Sequence, residues 1–208
     1  MDAAAWDDRY RVAEYIWTDR ANMFVERHAA DHPPGRAIDL ACGEGRNAVW
    51  LAANGWEVTA VDFSTVALEK ALRLATDHDI TINRVEADAT RWAPDQPVDL
   101  VVIAYLQITD PERTAVLRQA AEWLVPGGTL LIVAHDRTNH ADGYGGPPDP
   151  AVCYDLDETV EALSSLTIEH AAVEQRPVVT ADGTRHALDT VVVARRPAAS
   201  CRRRAGFS

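Results

Sequence analysis

Hydrophobic residues fall along this chain in two alternating rhythms. Short apolar runs at 37–41, 57–61, 80–86, 98–104 and 129–135 have the length and continuity of strands buried on both faces. Between them, apolar positions recur at helical spacing. One helix spans 45 to 54 and stops at Asn54-Gly55; the next runs from the N-cap Ser64 to Asp77; a third is opened by Pro111 and runs to Leu124. Strands alternating with helices predict a parallel sheet wound on both sides. The rhythm then changes. After a helix at Leu156–Leu163 come two strands, roughly 167–176 and 187–195, joined by Thr180-Ala181-Asp182-Gly183-Thr184. Its Asp-Gly is a hairpin signal. An antiparallel hairpin added to five parallel strands makes a seven-stranded α/β sheet.

Two segments stand outside that alternation. Residues 3 to 30 predict one or two amphipathic helices, with Trp6, Tyr10, Ala13 and Trp17 on one face. They form an N-terminal helical cap that either covers the sheet or closes as a lid over a ligand, with Trp6, Tyr10, Trp17 or Asn22 in contact. Residues 136 to 154 read as a long polar loop containing Asp142-Gly143-Tyr144-Gly145-Gly146-Pro147-Pro148. A loop of that length in a compact domain is usually functional or disordered, and its place after the fifth strand makes it a substrate wall.

The 208 residues fit one domain, 1–197, with the cap at 1–34 and the α/β core at 35–197; residues 198–208, with Arg202-Arg203-Arg204, read as a disordered basic tail. Hydrophobic content of 47% and charged content of 25% are those of a globular protein, and no apolar run approaches membrane-spanning length. The N-terminus carries no signal-peptide pattern, so a cytoplasmic location is expected. Three widely spaced cysteines argue against a disulfide framework or a zinc site. The net charge of −12 disfavours a nucleic-acid partner and leaves a small-molecule substrate. Monomer and dimer stay equally open.

The chemistry concentrates in Ile38-Asp39-Leu40-Ala41-Cys42-Gly43-Glu44-Gly45-Arg46-Asn47-Ala48. A strand meets two glycines and a helix start, where backbone amides can approach a ligand closely. The next strand ends in Asp62, placed to accept both hydroxyls of a ribose, and Phe63 can lie against a base. Asp88, two residues past the third strand, can take a base amino group, with the Ala89 amide nearby. These residues point to a nucleoside-containing cofactor. Gly43-x-Gly45-x-x-Ala48 also fits a dinucleotide fingerprint. However, Asp39, four residues before Gly43, would repel a pyrophosphate and attract a cofactor bearing an ammonium and a sulfonium.

That motif order, with the Leu124-x-Pro126-Gly127-Gly128 turn and the terminal hairpin, resembles the Rossmann-like class I S-adenosylmethionine-dependent methyltransferases. Trp6-Asp7-Asp8-Arg9-Tyr10, Asn22 and Gly43-Glu44-Gly45-Arg46-Asn47 are similar to the small bacterial tellurite-resistance (TehB-type) and thiopurine-type group. The resemblance implies S-adenosyl-L-methionine as cofactor, held by Asp39, Ala41, Gly43, Gly45, Arg46, Asn47, Asp62, Phe63, Asp88 and Ala89. Tellurite-modifying members carry a His-Arg pair where this chain has Pro177-Val178, which argues against tellurite as the acceptor.

Methyl transfer by in-line displacement needs collinear positioning more than it needs a protein nucleophile. Cys42 therefore reads as a packing residue. His135 and His186 are the candidate bases, and Arg185 is a candidate anchor for an anionic acceptor. Tyr10, Trp17, Tyr105, Gln107 and Tyr144 are candidate substrate-wall residues. His28, His32, His78, His140 and His170 read as surface positions. Two other readings are a nicotinamide-dependent oxidoreductase and a non-catalytic S-adenosylmethionine-binding protein.

Overall fold

The computed structural model describes residues 3–11, 15–16 and 18–198. Seven strands, β1 (Arg36–Leu40), β2 (Glu57–Asp62), β3 (Asn83–Glu86), β4 (Val98–Ala104), β5 (Leu124–His135), β6 (Thr167–Thr180) and β7 (Gly183–Arg195), lie in the order β3-β2-β1-β4-β5-β7-β6. β1 to β5 pair in parallel, and β7 runs antiparallel to both β5 and β6. Helices α1 (Ala3–Arg11) and α2 (Met23–Ala29) precede the sheet. α3 (Arg46–Ala53), α4 (Thr65–Asp77), α5 (Glu112–Glu122), α6 (Asn139–Asp142) and α7 (Leu156–Ala162) follow in turn. This is the Rossmann-like sheet that the alternating rhythms predict.

Side-chain alternation along each central strand fills two apolar layers. Val102, Leu131 and Val193 face the layer under α2, α3 and α4; Ile103, Ile132 and Val192 face the layer under α5 and α7. Each such side chain contributes about 1.5–3 kcal/mol on burial, so the sheet is fixed well before the polar loops matter. Local signals set the helix starts. Ser64 Oγ accepts from the Ala67 amide at 3.1 Å, Asn22 Oδ1 from Phe24 at 2.9 Å, and Asp155 Oδ1 from Asp157 and Glu158. Strand order reverses between β1 and β4, which opens a crevice at their C-terminal ends.

Several boundaries differ from the sequence reading. β3 begins at Asn83 rather than 80, and β5 already begins at Leu124, because the Pro126-Gly127-Gly128 stretch is carried inside it as an irregularity in the β4 pairing. The hairpin strands are longer than 167–176 and 187–195. Pairing continues to Thr180–Gly183, so Ala181 and Asp182 make the turn and Gly183 follows it at φ 120°. The 136–154 segment is more than a loop. It holds α6, a short 3-10 turn at Pro150–Val152 and a bridge between Asp136 and Tyr154. Buried Asp136 accepts from the Thr138 amide and hydroxyl and from the Thr190 hydroxyl. Asn139 donates to the Gly145 carbonyl and accepts from the Leu188 amide. These side chains supply the backbone partners that an excursion over the sheet edge would otherwise lack.

Candidate active site

The β1–α3 turn is built on left-handed backbone. Ala41, Gly43 and Gly45 have φ of 57°, 55° and 80°. A Cβ on Gly43 would meet the Tyr10 hydroxyl at 2.9 Å, and one on Gly45 would collide with the Ala71 side chain. The first leaves space between turn and cap, and the second lets α3 lie against α4. Asp62, at the end of β2, accepts from the Gly43 amide at 2.8 Å and the Ser64 amide at 2.9 Å. Burial raises its pKa, opposed by the amides of Ser64, Gly43 and Phe63.

Asp39 lies in β1 beneath this turn with no exposed surface, and neither carboxylate oxygen has a hydrogen-bond partner. Burial lifts its pKa to about 7, an effect that the Ala48 amide and the Arg46 guanidinium offset only in part. Cys42 is buried with its thiol held well above the ordinary range by burial, as suits a packing residue.

Two cavities meet at the crevice. The larger, about 510 Å³, is lined by Asp62 and Phe63 of the β2 end, by Ala87, Asp88, Ala89 and Thr90 past β3, and by Leu106 and Ile108. Phe63, Asp88 and Ala89 thus stand around one space, as expected for a base and its ribose. The smaller, about 110 Å³, is lined by Gly43, Glu44, Arg46, Asn47, His135 and Arg176, with Tyr15 and Thr18 of the cap. Trp6, Tyr10, Ala41, Tyr105 and Gln107 line both and so join them. Asp39 lines neither; it sits one layer beneath. A nucleoside-sized space, an amide-rich turn and an orphaned carboxylate fit a cofactor with an adenosyl and an ammonium end.

The smaller cavity is organised from behind by Asp189, a β7 residue with no exposed surface. Asp189 Oδ2 accepts from the Tyr105 hydroxyl and from Arg176 Nε, both at 2.7 Å. Oδ1 lies 3.2 Å from His135 Nδ1. Burial works against the Asp189 carboxylate, but His135 and Arg176 outweigh it and its pKa is lowered. Burial likewise opposes the Arg176 charge, yet Tyr105 and Asp189 raise its pKa overall. Arg46 stands over the Tyr105 ring at 5.9 Å, with its pKa lowered by burial. It makes no ion pair or hydrogen bond among the described residues. A protein of net charge −12 therefore turns two guanidinium groups into this one cavity. Tyr105 holds φ 62°, an unfavourable backbone state for a tyrosine and one that recurs at functional sites.

The two parts of the cap are placed differently. α2 buries Phe24 and Val25 against the sheet, whereas α1 and the segment after it face the cavities. Lys70 donates to the Tyr10 carbonyl at 2.6 Å and pairs with buried Glu44 at 2.9 Å; Glu44 also accepts from the Ile16 amide. The Ser64 hydroxyl donates to Asp7, and the Asn22 amide to Asn47 Oδ1. The Asn22 side chain donates to the Tyr105 hydroxyl at 2.9 Å. Asn47 is thus engaged in tying down the cap.

Other candidates fall elsewhere. Arg185 and His186 are exposed near the hairpin tip, opposite Val178 and Pro177, and line neither cavity, because pairing carries β6 and β7 past the crevice. Tyr144 is 43% exposed and also lines neither, since Asn139 and Asp136 hold the loop against β7. Trp17 and the basic tail from residue 199 lie outside the described residues. His28 and His170, read as surface positions, are half-buried, with their rings in tilted contact at 4.9 Å between centroids. The sequence reading missed Arg176 and Asp189. A lone acid within Ala187-Leu188-Asp189-Thr190-Val191 was the available signal for one. The shared parity of His170, Glu174 and Arg176 along β6 was the signal for the other.

Comparison with known proteins agrees with this geometry. A family model described as a methyltransferase domain matches residues 37–128, from β1 to the Gly127-Gly128 turn. Thiocyanate methyltransferase 1 of Brassica oleracea is 31% identical over 155 residues, covering 71% of this chain and 67% of that protein. Ribosomal RNA small subunit methyltransferase C of Alcanivorax borkumensis is 33% identical over 109 residues, covering 49% of this chain and 33% of that protein. The chain spans between about a third and two thirds of the length of these curated relatives. Among solved structures, TehB from Haemophilus influenzae superposes with a TM-score of 0.72 at 19% identity, over 85% of this chain and 62% of that one. The chain belongs to the class I S-adenosylmethionine-dependent methyltransferases, and S-adenosylmethionine is its cofactor. The nicotinamide-dependent alternative is set aside by the family match and by the antiparallel β7, which completes the methyltransferase sheet.

Proposed function

We propose that this protein transfers the methyl group of S-adenosylmethionine to a small anionic nucleophile held between Arg46 and Arg176. The observation that carries this reading is the small cationic cavity, which opens through Tyr10, Tyr105 and Gln107 into the nucleoside-sized one. The half-buried Arg46 guanidinium, with no carboxylate partner among the described residues, is a ready site for an anion. A relative named for thiocyanate, itself a small anion, supports the same class. A cavity of about 110 Å³ and a net charge of −12 make RNA the less favoured acceptor, although one relative is named for ribosomal RNA.

When bound, S-adenosylmethionine would supply an electrophilic methyl carbon, and its sulfur would take back the electron pair of the methyl–sulfur bond as the acceptor lone pair forms the new one. In this reading Asp62 takes the ribose hydroxyls, Phe63, Asp88 and Ala89 hold the base, and Asp39 favours the ammonium end from below; the lining of one cavity by Asp62, Phe63, Asp88 and Ala89 supports it. Arg46 and Arg176 fix the acceptor, and Tyr105 and Gln107 set its approach. A thiolate or carboxylate acceptor has no proton to lose. An acceptor that does would deliver it to His135: with Nδ1 turned to Asp189, the other ring nitrogen, Nε2, is left to act as base.

The test has two parts. S-adenosylmethionine and S-adenosylhomocysteine, but not NAD, should raise the unfolding midpoint, and Asp62→Ala should abolish most of that rise. In turnover with a panel of small thiolates, carboxylates and chalcogen oxyanions, Arg176→Gln should raise the acceptor KM at least ~10-fold, the loss expected for a charge-assisted hydrogen bond. The KM for S-adenosylmethionine should change little. Cofactor binding with no turnover on any acceptor would favour a non-catalytic role. Salt-dependent RNA binding would replace the small-anion reading.

A further inference from the structure

Away from the crevice, the inward face of β6 carries His170 and Glu174 next to Arg176, and α2 lays His28 over them. His170 Nε2 is 2.9 Å from Glu174 Oε1, and the His28 ring lies against that of His170 at 4.9 Å between centroids, tilted by 38°. One donor atom from each of the three side chains lies within 4.8 Å of the others. His28 Nε2 is buried and has no hydrogen-bond partner, a costly state for an imidazole nitrogen whose neighbour on the sheet is a second imidazole. Two imidazoles and a carboxylate from two elements form the donor set of a divalent transition-metal site with an open position for water.

We propose that His28, His170 and Glu174 bind one divalent ion of the zinc class, fastening α2 to β6. Bonds of about 2.0–2.1 Å imply donor separations of roughly 3.3 Å in a tetrahedral site, so the three side chains close inward by at most ~1.5 Å. Without metal, Glu174 is occupied by Arg27, whose Nη1 lies 2.6 Å from Oε2. The Arg27 side chain is 48% exposed and can turn to water, so metal and guanidinium compete for one carboxylate. The ion would act beyond its own shell. α2 begins at Asn22, which holds the Tyr105 hydroxyl, and β6 presents Arg176 two residues beyond Glu174. Fastening these elements would steady two walls of the small cavity.

The experiment is calorimetric titration of the untagged, metal-stripped full chain with zinc and nickel, with cobalt absorption as a readout of coordination. One equivalent is expected to bind. His28→Ala and His170→Ala should each weaken binding at least ~100-fold, and the near-isosteric Glu174→Gln at least ~10-fold. Arg27→Ala should tighten binding by removing the competitor. Far-ultraviolet circular dichroism would confirm that each variant is folded, and Glu174→Gln serves if a histidine variant is not. No stoichiometric binding, or equal binding in the histidine variants, overturns the site. Unchanged affinity in Glu174→Gln removes Glu174 as a ligand and overturns the three-residue assignment.

Discussion

Asp39 carries a carboxyl far from its ordinary state. Its pKa rises from 3.8 to about 7 in a site where neither oxygen has a partner. The folded protein holds this proton more tightly than the unfolded chain does. Its contribution to stability is therefore complete below about pH 4 and is lost as pH rises through 7. At roughly 1.4 kcal/mol per unit, the full swing is on the order of 4 kcal/mol. Asp39→Asn should flatten this slope and stabilise the ligand-free protein at pH 8. An ammonium group close by would favour the carboxylate, so cofactor binding at pH 6 should release a proton and tighten toward pH 7 and above. Calorimetry in two buffers of different ionisation enthalpy would read that release, and Asp39→Asn should remove it. Buffer-independent enthalpy at pH 6 in the native protein would sink the ammonium role.

At the scale of elements, the β1–α3–α4 unit depends on close backbone approach. Gly45 combines φ 80° with a Cβ position occupied by the Ala71 side chain. Gly45→Ala should cost about 2–4 kcal/mol, from left-handed strain together with overpacking. For a domain of this size that lowers the midpoint by roughly 5–15 °C. An unchanged midpoint would mean that α4 yields easily, contrary to the buried contact. The hairpin shows how element length decides chemistry. With β6 ended at 176, Arg176 marks a strand terminus, and Arg185 becomes the natural cation for the site. With pairing running to Thr180, Arg176 is an interior position on the face shared with His170 and Glu174, and Arg185 is carried out to solvent.

At the scale of the whole molecule, the strand reversal at β1 and β4 creates the crevice, and the cap roofs it. Ahead of α2 the cap is held by polar contacts: Lys70 to the Tyr10 carbonyl, Ser64 to Asp7 and Glu44 to the Ile16 amide. Such contacts can open without disturbing the apolar layers. Amide hydrogen exchange in residues 3–11 should therefore slow markedly when S-adenosylhomocysteine binds, while the centres of β4 and β5 change little. Equal exchange with and without ligand would show that α1 is a fixed wall and not a closing one.

The sequence by itself determined the sheet, because the periodicity of apolar residues and the punctuation by glycine, proline and capping side chains are local signals. Ser64 caps α4, Asp62 ends β2 and Val98–Ala104 forms β4, each where the local pattern puts it. The proposed cofactor half of the site was legible for the same reason: the β1–α3 turn and the ends of β2 and β3 are contiguous motifs in a fixed order. Of the proposed acceptor half, Tyr10, Tyr105, Gln107 and His135 were legible in the sequence, whereas Arg176 and Asp189 were brought in by the tertiary structure alone. Tyr105, which follows β4, and His135, Arg176 and Asp189, from β5, β6 and β7, meet through the pairing of distant strands, with Asp189 set opposite His135 in the antiparallel register. No local pattern encodes a register between distant strands. It is fixed by which faces of β5, β6 and β7 must be buried, and that choice left Arg176 in the cavity and Arg185 outside it.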